Sequence, residues 1–196
     1  MKNYDEQIKQ YGWKGAEVIF DLSKEYVKAG ERLIDLGIGT GLSSKLFHES
    51  GLAVWGCDNS EIMLDACRAK GFASGLKQHD IEKFPYPYDS GFFNHAVSIG
   101  VLHLLEDISA TIAEVARLIK PDGIFAFSIM DREDSENSEL ILKLNHKIYR
   151  HNFKQINDNL KRYDFGIVKS QELNMPINKK GDGIPAMAYV AKKNAG

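Results

Sequence analysis

The stretch that decides the fold is Arg32-Leu33-Ile34-Asp35-Leu36-Gly37-Ile38-Gly39-Thr40-Gly41. A mostly apolar run of buried-strand length is followed directly by glycines at alternate positions. A glycine-rich turn between a strand and a helix lets the backbone approach a ligand closely and points helix N–H groups toward it. The stretch therefore predicts a ligand site at the carboxyl end of a buried strand. Taken alone, the same glycines could instead form only a tight turn.

The spacing of these glycines narrows the class of ligand. The dinucleotide fingerprint is G-x-G-x-x-G, but its third glycine position is Leu42 here, and the third glycine comes early, at Gly41. Asp35 precedes the first glycine by two residues, and its carboxylate would repel a pyrophosphate but attract a positively charged amino group. A nicotinamide-dependent oxidoreductase therefore stays only as a less favoured alternative.

Outward from this stretch, apolar runs of strand length alternate with amphipathic segments of helix length, which indicates an α/β protein. The first helix is predicted over 14–28, and further helical segments over about 139–161. The predicted strands cover 32–36, 53–57, 75–79, 93–99, 124–130, 166–173 and 185–192. The last two lack a helix-length crossover between them and are expected to pair antiparallel.

Two further acids stand at the ends of the second and third predicted strands. Asp58 can accept hydrogen bonds from both hydroxyls of a ribose, although it could also be a helix cap or a loop acid. Asp80 can accept a hydrogen bond from an adenine amine, although it could equally be an ordinary loop acid. With Asp35, these acids would share the sheet edge at which open α/β sheets bind ligands.

The resulting series of motifs resembles the class I S-adenosylmethionine-dependent methyltransferases. The resemblance covers about residues 33–130, and the segment from Ser98 to Leu105 is similar to the small-molecule enzymes of the type 11 subgroup. The matching motifs are Asp35 to Gly41, Asp58 with Ser60 and Met63, Asp80-Ile81 followed by Phe84-Pro85, and Leu118 to Gly123. The family fold is a Rossmann-like three-layer sandwich with a seven-stranded, mostly parallel sheet, in the order 3-2-1-4-5-7-6 with strand 7 antiparallel.

The resemblance implies S-adenosylmethionine as cofactor, with S-adenosylhomocysteine as product. The residues expected to bind it are Asp35, Gly37, Gly39, Thr40, Gly41, Asp58, Asn59, Met63, Asp80, Ile81 and Ile99. Asn94 stands where the family usually has an aspartate, and we interpret it as structural. No metal site is expected, because Gly100, His103 and Leu104 do not reproduce the acids and histidine of ubiquinone-type O-methyltransferases.

A catalytic base is needed only if the methyl acceptor arrives protonated. His103 is the best single candidate for this role, although it could as easily brace the junction between strand and helix. His146, Tyr149 and His151 lie after strand five, where a substrate cover is expected. A protein that binds the cofactor without turning it over stays open as an alternative, because its pocket residues would be the same.

Composition and charge favour one domain and a small-molecule acceptor. The chain has 196 residues, is 43% hydrophobic and carries a formal net charge of −2, so it has no global basic field for nucleic acid. We expect residues 1–30 to form an N-terminal helix and cap, 31–130 the cofactor-binding core, and 131–196 the substrate cover and last two strands. The oligomeric state is left open.

Residues 141–169 have a local excess of basic side chains. If this basic surface is functional, it would favour a small anionic acceptor. It also leaves an RNA methyltransferase as a less favoured alternative. The basic residues are Lys143, Lys147, Arg150, Lys154, Lys161, Arg162 and Lys169, against the acids Asp158 and Asp164. No apolar segment of signal-peptide or membrane-spanning type is apparent, which predicts a soluble cytoplasmic protein. Cys57 and Cys67 are expected to be packing thiols.

Overall fold

The sheet confirms the predicted α/β fold class. The computed structural model describes residues 4–132, 139–143, 146–176 and 183–195. The main strands are β1 Arg32–Leu36, β2 Ala53–Asp58, β3 Gly75–Gln78, β4 His95–Ser98, β5 Ile124–Ile129, β9 Phe165–Pro176 and β10 Gly183–Lys193. They form one seven-stranded sheet in the order β3-β2-β1-β4-β5-β10-β9. β1 to β5 are parallel, and β10 is antiparallel to both β5 and β9.

Helices cover both faces of this sheet. They are α1 Tyr4–Gln10, α2 Gly15–Ser23, α3 Ser44–Glu49, α4 Glu61–Arg68, α5 Ser109–Leu118 and α6 Phe153–Arg162, with a 3-10 turn at Leu102–Leu104. Leu33 belongs to a core cluster that includes residues of α2, α3 and α4, whereas Ile34 belongs to a second cluster that includes residues of α5 and α6. The alternation of β1 side chains thus gives the three-layer sandwich. Within the described residues, every helix is too short or too polar to cross a bilayer.

The element boundaries after β5 differ from the predicted helical stretch. Two strands, β7 Glu139–Lys143 and β8 His146–Asn152, lie in this stretch, and of its described residues only those of α6 are helical. With β6 Asp131–Arg132 they make a small second sheet in the order β6-β8-β7. The pairing of β8 with β6 and β7, and its packing on the 3-10 turn, therefore override the local pattern that predicted a helix here.

The N-terminal region also differs from the prediction. The helix expected over 14–28 ends at Ser23, and a separate helix, α1, precedes it. Gly12, with a φ of +71°, lies between the two helices and breaks the helical path there. The predicted turn before β5 is confirmed: Asp122 has a φ of +65°, and a Cβ on Gly123 would lie 2.0 Å from the Asn94 carbonyl oxygen.

Both cysteines are buried free thiols, as predicted. The side chain of Cys57, on β2, lies in the core, where burial raises the pKa of its thiol to about 12. Burial also raises the pKa of Cys67, on α4, to about 11. Both groups are therefore protonated and unreactive at neutral pH, consistent with a packing role.

Candidate functional site

The glycine-rich turn connects β1 to α3 at the carboxyl edge of the sheet. Gly37, Gly39 and Gly41 have φ angles of +77°, +53° and +78°, which other residues rarely adopt. A Cβ on Gly37 would clash with Val101, and one on Gly41 with Phe72 and Cys67. A Cβ on Gly39, in contrast, would meet no atom of the described residues within 4 Å. The outer two glycines thus serve packing, and the middle one exposes its backbone on the open side of the turn.

Asp58, the last residue of β2, connects this turn to the start of α4. Its Oδ2 accepts a hydrogen bond from the Gly39 N–H (2.8 Å), and its Oδ1 accepts one from the Ser60 N–H (2.8 Å). The Ser60 hydroxyl in turn accepts a bond from the Met63 N–H and caps α4. Each carboxylate oxygen can accept more than one bond, so Asp58 keeps acceptor capacity toward the open side. Its two proposed roles, helix-start contact and ribose ligand, are compatible.

Asp35 is a buried carboxyl directly beneath the turn. Only 2% of Asp35 is exposed; its Oδ2 accepts a hydrogen bond from the Ser44 hydroxyl at the start of α3, and its Oδ1 has no hydrogen-bond partner in the part of the chain that is described. Burial, together with the nearby Asp58, raises the pKa of Asp35 to about 7. An unsatisfied buried acceptor is costly unless a donor reaches it, so Asp35 fits a cationic group at this position.

Beside the turn lies a cavity of about 220 Å³. It brings together five of the residues predicted from sequence, which are Gly37, Asp58, Asn59, Asp80 and Ile81. Four further lining residues were missed: Glu82, Val101, Leu104 and Leu105. Three of these belong to the segment that follows β4, so the position of that segment at the sheet edge was the available signal.

The remaining predicted residues surround this cavity without lining it. The hydroxyl of Thr40 is directed away from it and donates a hydrogen bond to Asp5 of α1 (2.6 Å). Met63 lies in the first turn of α4, and Ile99 is half-buried against the core on the α2 side of the sheet. Burial and the charges of Asp5 and Asp58 raise the pKa of Tyr4, which places this tyrosine of α1 on the same side.

His103 lies in the 3-10 turn after β4, and it does not line the cofactor cavity. It is 7% exposed, and its Nδ1 has no hydrogen-bond partner among the described residues. Burial, and secondarily His151 of β8, lowers the pKa of His103 to about 4. The imidazole is therefore neutral at physiological pH and able to accept a proton. His146 has no described side chain, and Tyr149 is half-buried on β8.

Asn94 has a structural role, as we expected. Its Oδ1 accepts a hydrogen bond from the Arg32 N–H (3.0 Å) at the opposite, amino edge of the sheet. The next residue, His95, accepts at Nδ1 from the Ile124 N–H (3.1 Å), so its Nε2–H donates to Glu31 (2.8 Å). These side chains join β1, β4 and β5 far from the glycine-rich turn.

Comparisons with known proteins agree with this geometry. A family model described as "Methyltransferase domain" matches residues 34–127. A malonyl-[acyl-carrier protein] O-methyltransferase of Serratia marcescens is 34% identical over 101 residues, which cover 52% of this chain and 39% of that protein. A SAM-dependent methyltransferase of Methanosarcina mazei has a TM-score of 0.74 at 17% identity, over 89% of this chain and 98% of that one.

A second similar structure was solved with ligands. The 1,6-didemethyltoxoflavin-N1-methyltransferase of Burkholderia thailandensis, with bound 1,6-didemethyltoxoflavin and S-adenosylhomocysteine, has a TM-score of 0.70 at 19% identity, over 92% of this chain and 77% of that one. Residues 34–127 therefore match a methyltransferase domain, and the chain has the fold of S-adenosylmethionine-dependent methyltransferases. The similar solved structures are S-adenosylmethionine-dependent methyltransferases or hold S-adenosylhomocysteine. The chain spans less than half the length of the Serratia relative.

Proposed function

We propose that this protein transfers the methyl group of S-adenosylmethionine to a small organic acceptor. The observation that carries the proposal is that Asp58 and Asp80 line the cavity beside the glycine-rich turn, while Asp35 is buried at the end of the strand that leads into this turn. Asp35 would bind the amino group of the methionine moiety, and Asp58 the ribose hydroxyls. Asn59, Asp80 and Ile81 would surround the adenine end, where their cavity offers both polar and apolar contacts.

When bound, S-adenosylmethionine supplies a methyl carbon attached to a positively charged sulfur. Its displacement by a lone pair of the acceptor would break the carbon–sulfur bond and release a neutral thioether, so no residue would be needed as an acid. The protein chiefly has to align two reactants and exclude water. Leu104 and Leu105 contribute an apolar wall for this purpose.

Proton removal depends on the acceptor. An acceptor that carries a proton on the attacking atom must lose it to a base or to solvent, and His103 is the proposed base because it is neutral and has an unpartnered Nδ1. Its depressed pKa makes it a weak base, so this role suits acceptors that acidify as they react. The alternatives are a cofactor-binding protein without turnover, an NAD-type oxidoreductase and an RNA methyltransferase.

The test combines cofactor binding with methyl transfer. Calorimetry should detect binding of S-adenosylmethionine and S-adenosylhomocysteine, and none of NAD. Incubation with methyl-labelled S-adenosylmethionine and pooled metabolites should then give a labelled product and S-adenosylhomocysteine. Cofactor binding without any product would favour the protein without turnover, whereas binding of NAD alone would overturn the proposal.

A further inference from the structure

A second, larger cavity of about 440 Å³ lies between the start of α5 and one face of α6. Ile108 and Ile156, 3% and 1% exposed, form its apolar floor. His151, 3% exposed, and Asn159 add polar groups to the wall. The cavity thus offers a mixture of apolar surface and convergent polar groups, which is the usual character of a small-molecule site.

One short segment joins this cavity to the proposed cofactor site. Val101, Leu104 and Leu105 line the cofactor cavity, and the next residues along the chain, Glu106 to Ile108, line the second cavity. β8 packs against the 3-10 turn of this segment, where His151 of the cavity wall acts electrostatically on His103. The segment that carries the proposed base therefore connects the lining of one cavity to the lining of the other along the chain.

The charge of the second cavity is acidic. Glu106 and Asp107 are exposed at its mouth, and no described basic residue pairs with either carboxylate. None of the described lining residues is a lysine or an arginine. Of the basic residues after β5, Lys154 pairs with Asp158 (2.8 Å) and Lys169 with Glu25 (3.0 Å), away from the cavity lining. A carboxylate ligand would thus meet repulsion at the mouth, and a cation would meet attraction.

We propose that this second cavity binds the methyl acceptor and that the acceptor is a small organic cation, with a positively charged nitrogen against Glu106 and Asp107. The apolar part of the acceptor lies against Ile108 and Ile156, and the amide of Asn159 offers it hydrogen bonds. The inference rests on the proposed function, and it reverses the anionic acceptor that the local excess of basic residues suggested.

The test uses three probes that share a hydroxyphenyl ring and differ in charge. Tyramine is cationic, 4-ethylphenol is neutral and 3-(4-hydroxyphenyl)propionate is anionic. Their affinities for the full chain saturated with S-adenosylhomocysteine are measured by ligand-observed NMR at neutral pH.

The variants test the charge and the volume of the cavity separately. Glu106→Gln removes a carboxylate at the cavity mouth. Its matched control is Asp158→Asn, which removes a carboxylate on the face of α6 that does not line the cavity. Asn159→Leu, which fills the cavity, is matched by Asn157→Leu on another face of the helix.

We expect tyramine to bind at least about tenfold more tightly than the propionate, a difference of about 1.4 kcal/mol. Glu106→Gln should remove most of this preference and Asp158→Asn should keep it, while Asn159→Leu weakens all three probes and Asn157→Leu none. Equal affinities, a preference for the anion, no binding of tyramine, or the same loss in Glu106→Gln and Asp158→Asn would overturn the inference. Calorimetric binding of S-adenosylmethionine to the same samples reports on the proposed function separately.

Discussion

At the scale of single residues, Asp58 combines a folding role and a proposed binding role. It accepts backbone bonds from Gly39 and Ser60, so its removal unties both the glycine-rich turn and the start of α4. We expect Asp58→Ala to weaken S-adenosylmethionine binding by roughly 1 to 3 kcal/mol and to lower the free energy of unfolding by a similar amount. Calorimetry and urea unfolding measure the two effects. Asp65→Ala, which removes an exposed carboxylate of α4, should change neither strongly.

Gly39 allows a sharper experiment because its open side separates binding from packing. A valine there would meet no protein atom at Cβ, but its branched side chain would occupy the side of the turn that the cofactor needs. We expect Gly39→Val to abolish binding, more completely than Asp58→Ala does. Gly91→Val is the control, because Gly91 also has a positive φ (+64°) and open space around it. Full binding by Gly39→Val with native circular dichroism would contradict the site.

Asp35 makes stability depend on pH in a defined direction. Its pKa is raised to about 7 in the folded protein, so the stabilising contribution of the protonated form is complete below pH ~4 and is lost as the pH rises through about 7. At pH ~8 we expect the free energy of unfolding of Asp35→Asn, measured in urea, to exceed that of the wild type by about 2 to 4 kcal/mol. This difference should disappear near pH ~4. Its cofactor affinity should fall, since the amide lacks the negative charge. A pH-independent gap would assign the effect to packing instead.

At the scale of secondary-structure elements, the side chain of Asp5 attaches α1 to the glycine-rich turn. None of its residues is buried, and Asp5 accepts a hydrogen bond from Thr40 and pairs with Lys70 at the end of α4. We expect Asp5→Ala to detach α1, which faster tryptic cleavage after Lys9 would report while the circular dichroism of the core stays native. Glu6→Ala is the matched control on the same turn of the helix, and equal cleavage of both variants would contradict the attachment.

Most elements of the main sheet could be predicted because local signals mark them strongly. Gly37 and Pro121 punctuate buried apolar runs, and the missing crossover before β10 made an antiparallel pairing necessary. The small sheet could not be predicted, since the residues of β7 and β8 suit a helix as well as a strand. β8 pairs with β6, a contact between segments about 20 residues apart that no local pattern reveals, and β7 in turn pairs with β8.

The same contrast applies to the candidate site. Strand-end acids such as Asp58 and Asp80 could be predicted, because parallel strands bring their carboxyl ends to one edge. Ser44, which donates to Asp35, could not be recognised, because the hydrogen bond depends on where α3 begins. His103 was the candidate base from sequence, but packing by β8 buries it and it lines neither cavity.

At the scale of the whole molecule, the two edges of the sheet have different tasks. At the amino edge, the side chains of Asn94 and His95 use their hydrogen bonds to join neighbouring strands, and Glu31 accepts one of the bonds from His95. At the carboxyl edge, in contrast, Asp35 keeps an unpartnered acceptor and Gly39 an open face. Hydrogen-bonded polar groups rigidify the amino edge of the sheet, whereas the carboxyl edge keeps hydrogen-bond acceptors available for a ligand. This arrangement fits a rigid scaffold that binds ligands at one edge.

The charge of the whole chain leads to the last prediction, on nucleic acid. The formal net charge is −2, and Lys154 and Lys169, which belong to the basic stretch after β5, pair with Asp158 and Glu25. A chain that neutralises few phosphates binds weakly and shows a shallow dependence on salt. We expect fluorescence anisotropy with a short labelled RNA to give a dissociation constant no tighter than about 10⁻⁴ M near physiological salt. Tight binding that weakens steeply between about 50 and 200 mM salt would instead support an RNA methyltransferase and overturn the choice of a small acceptor.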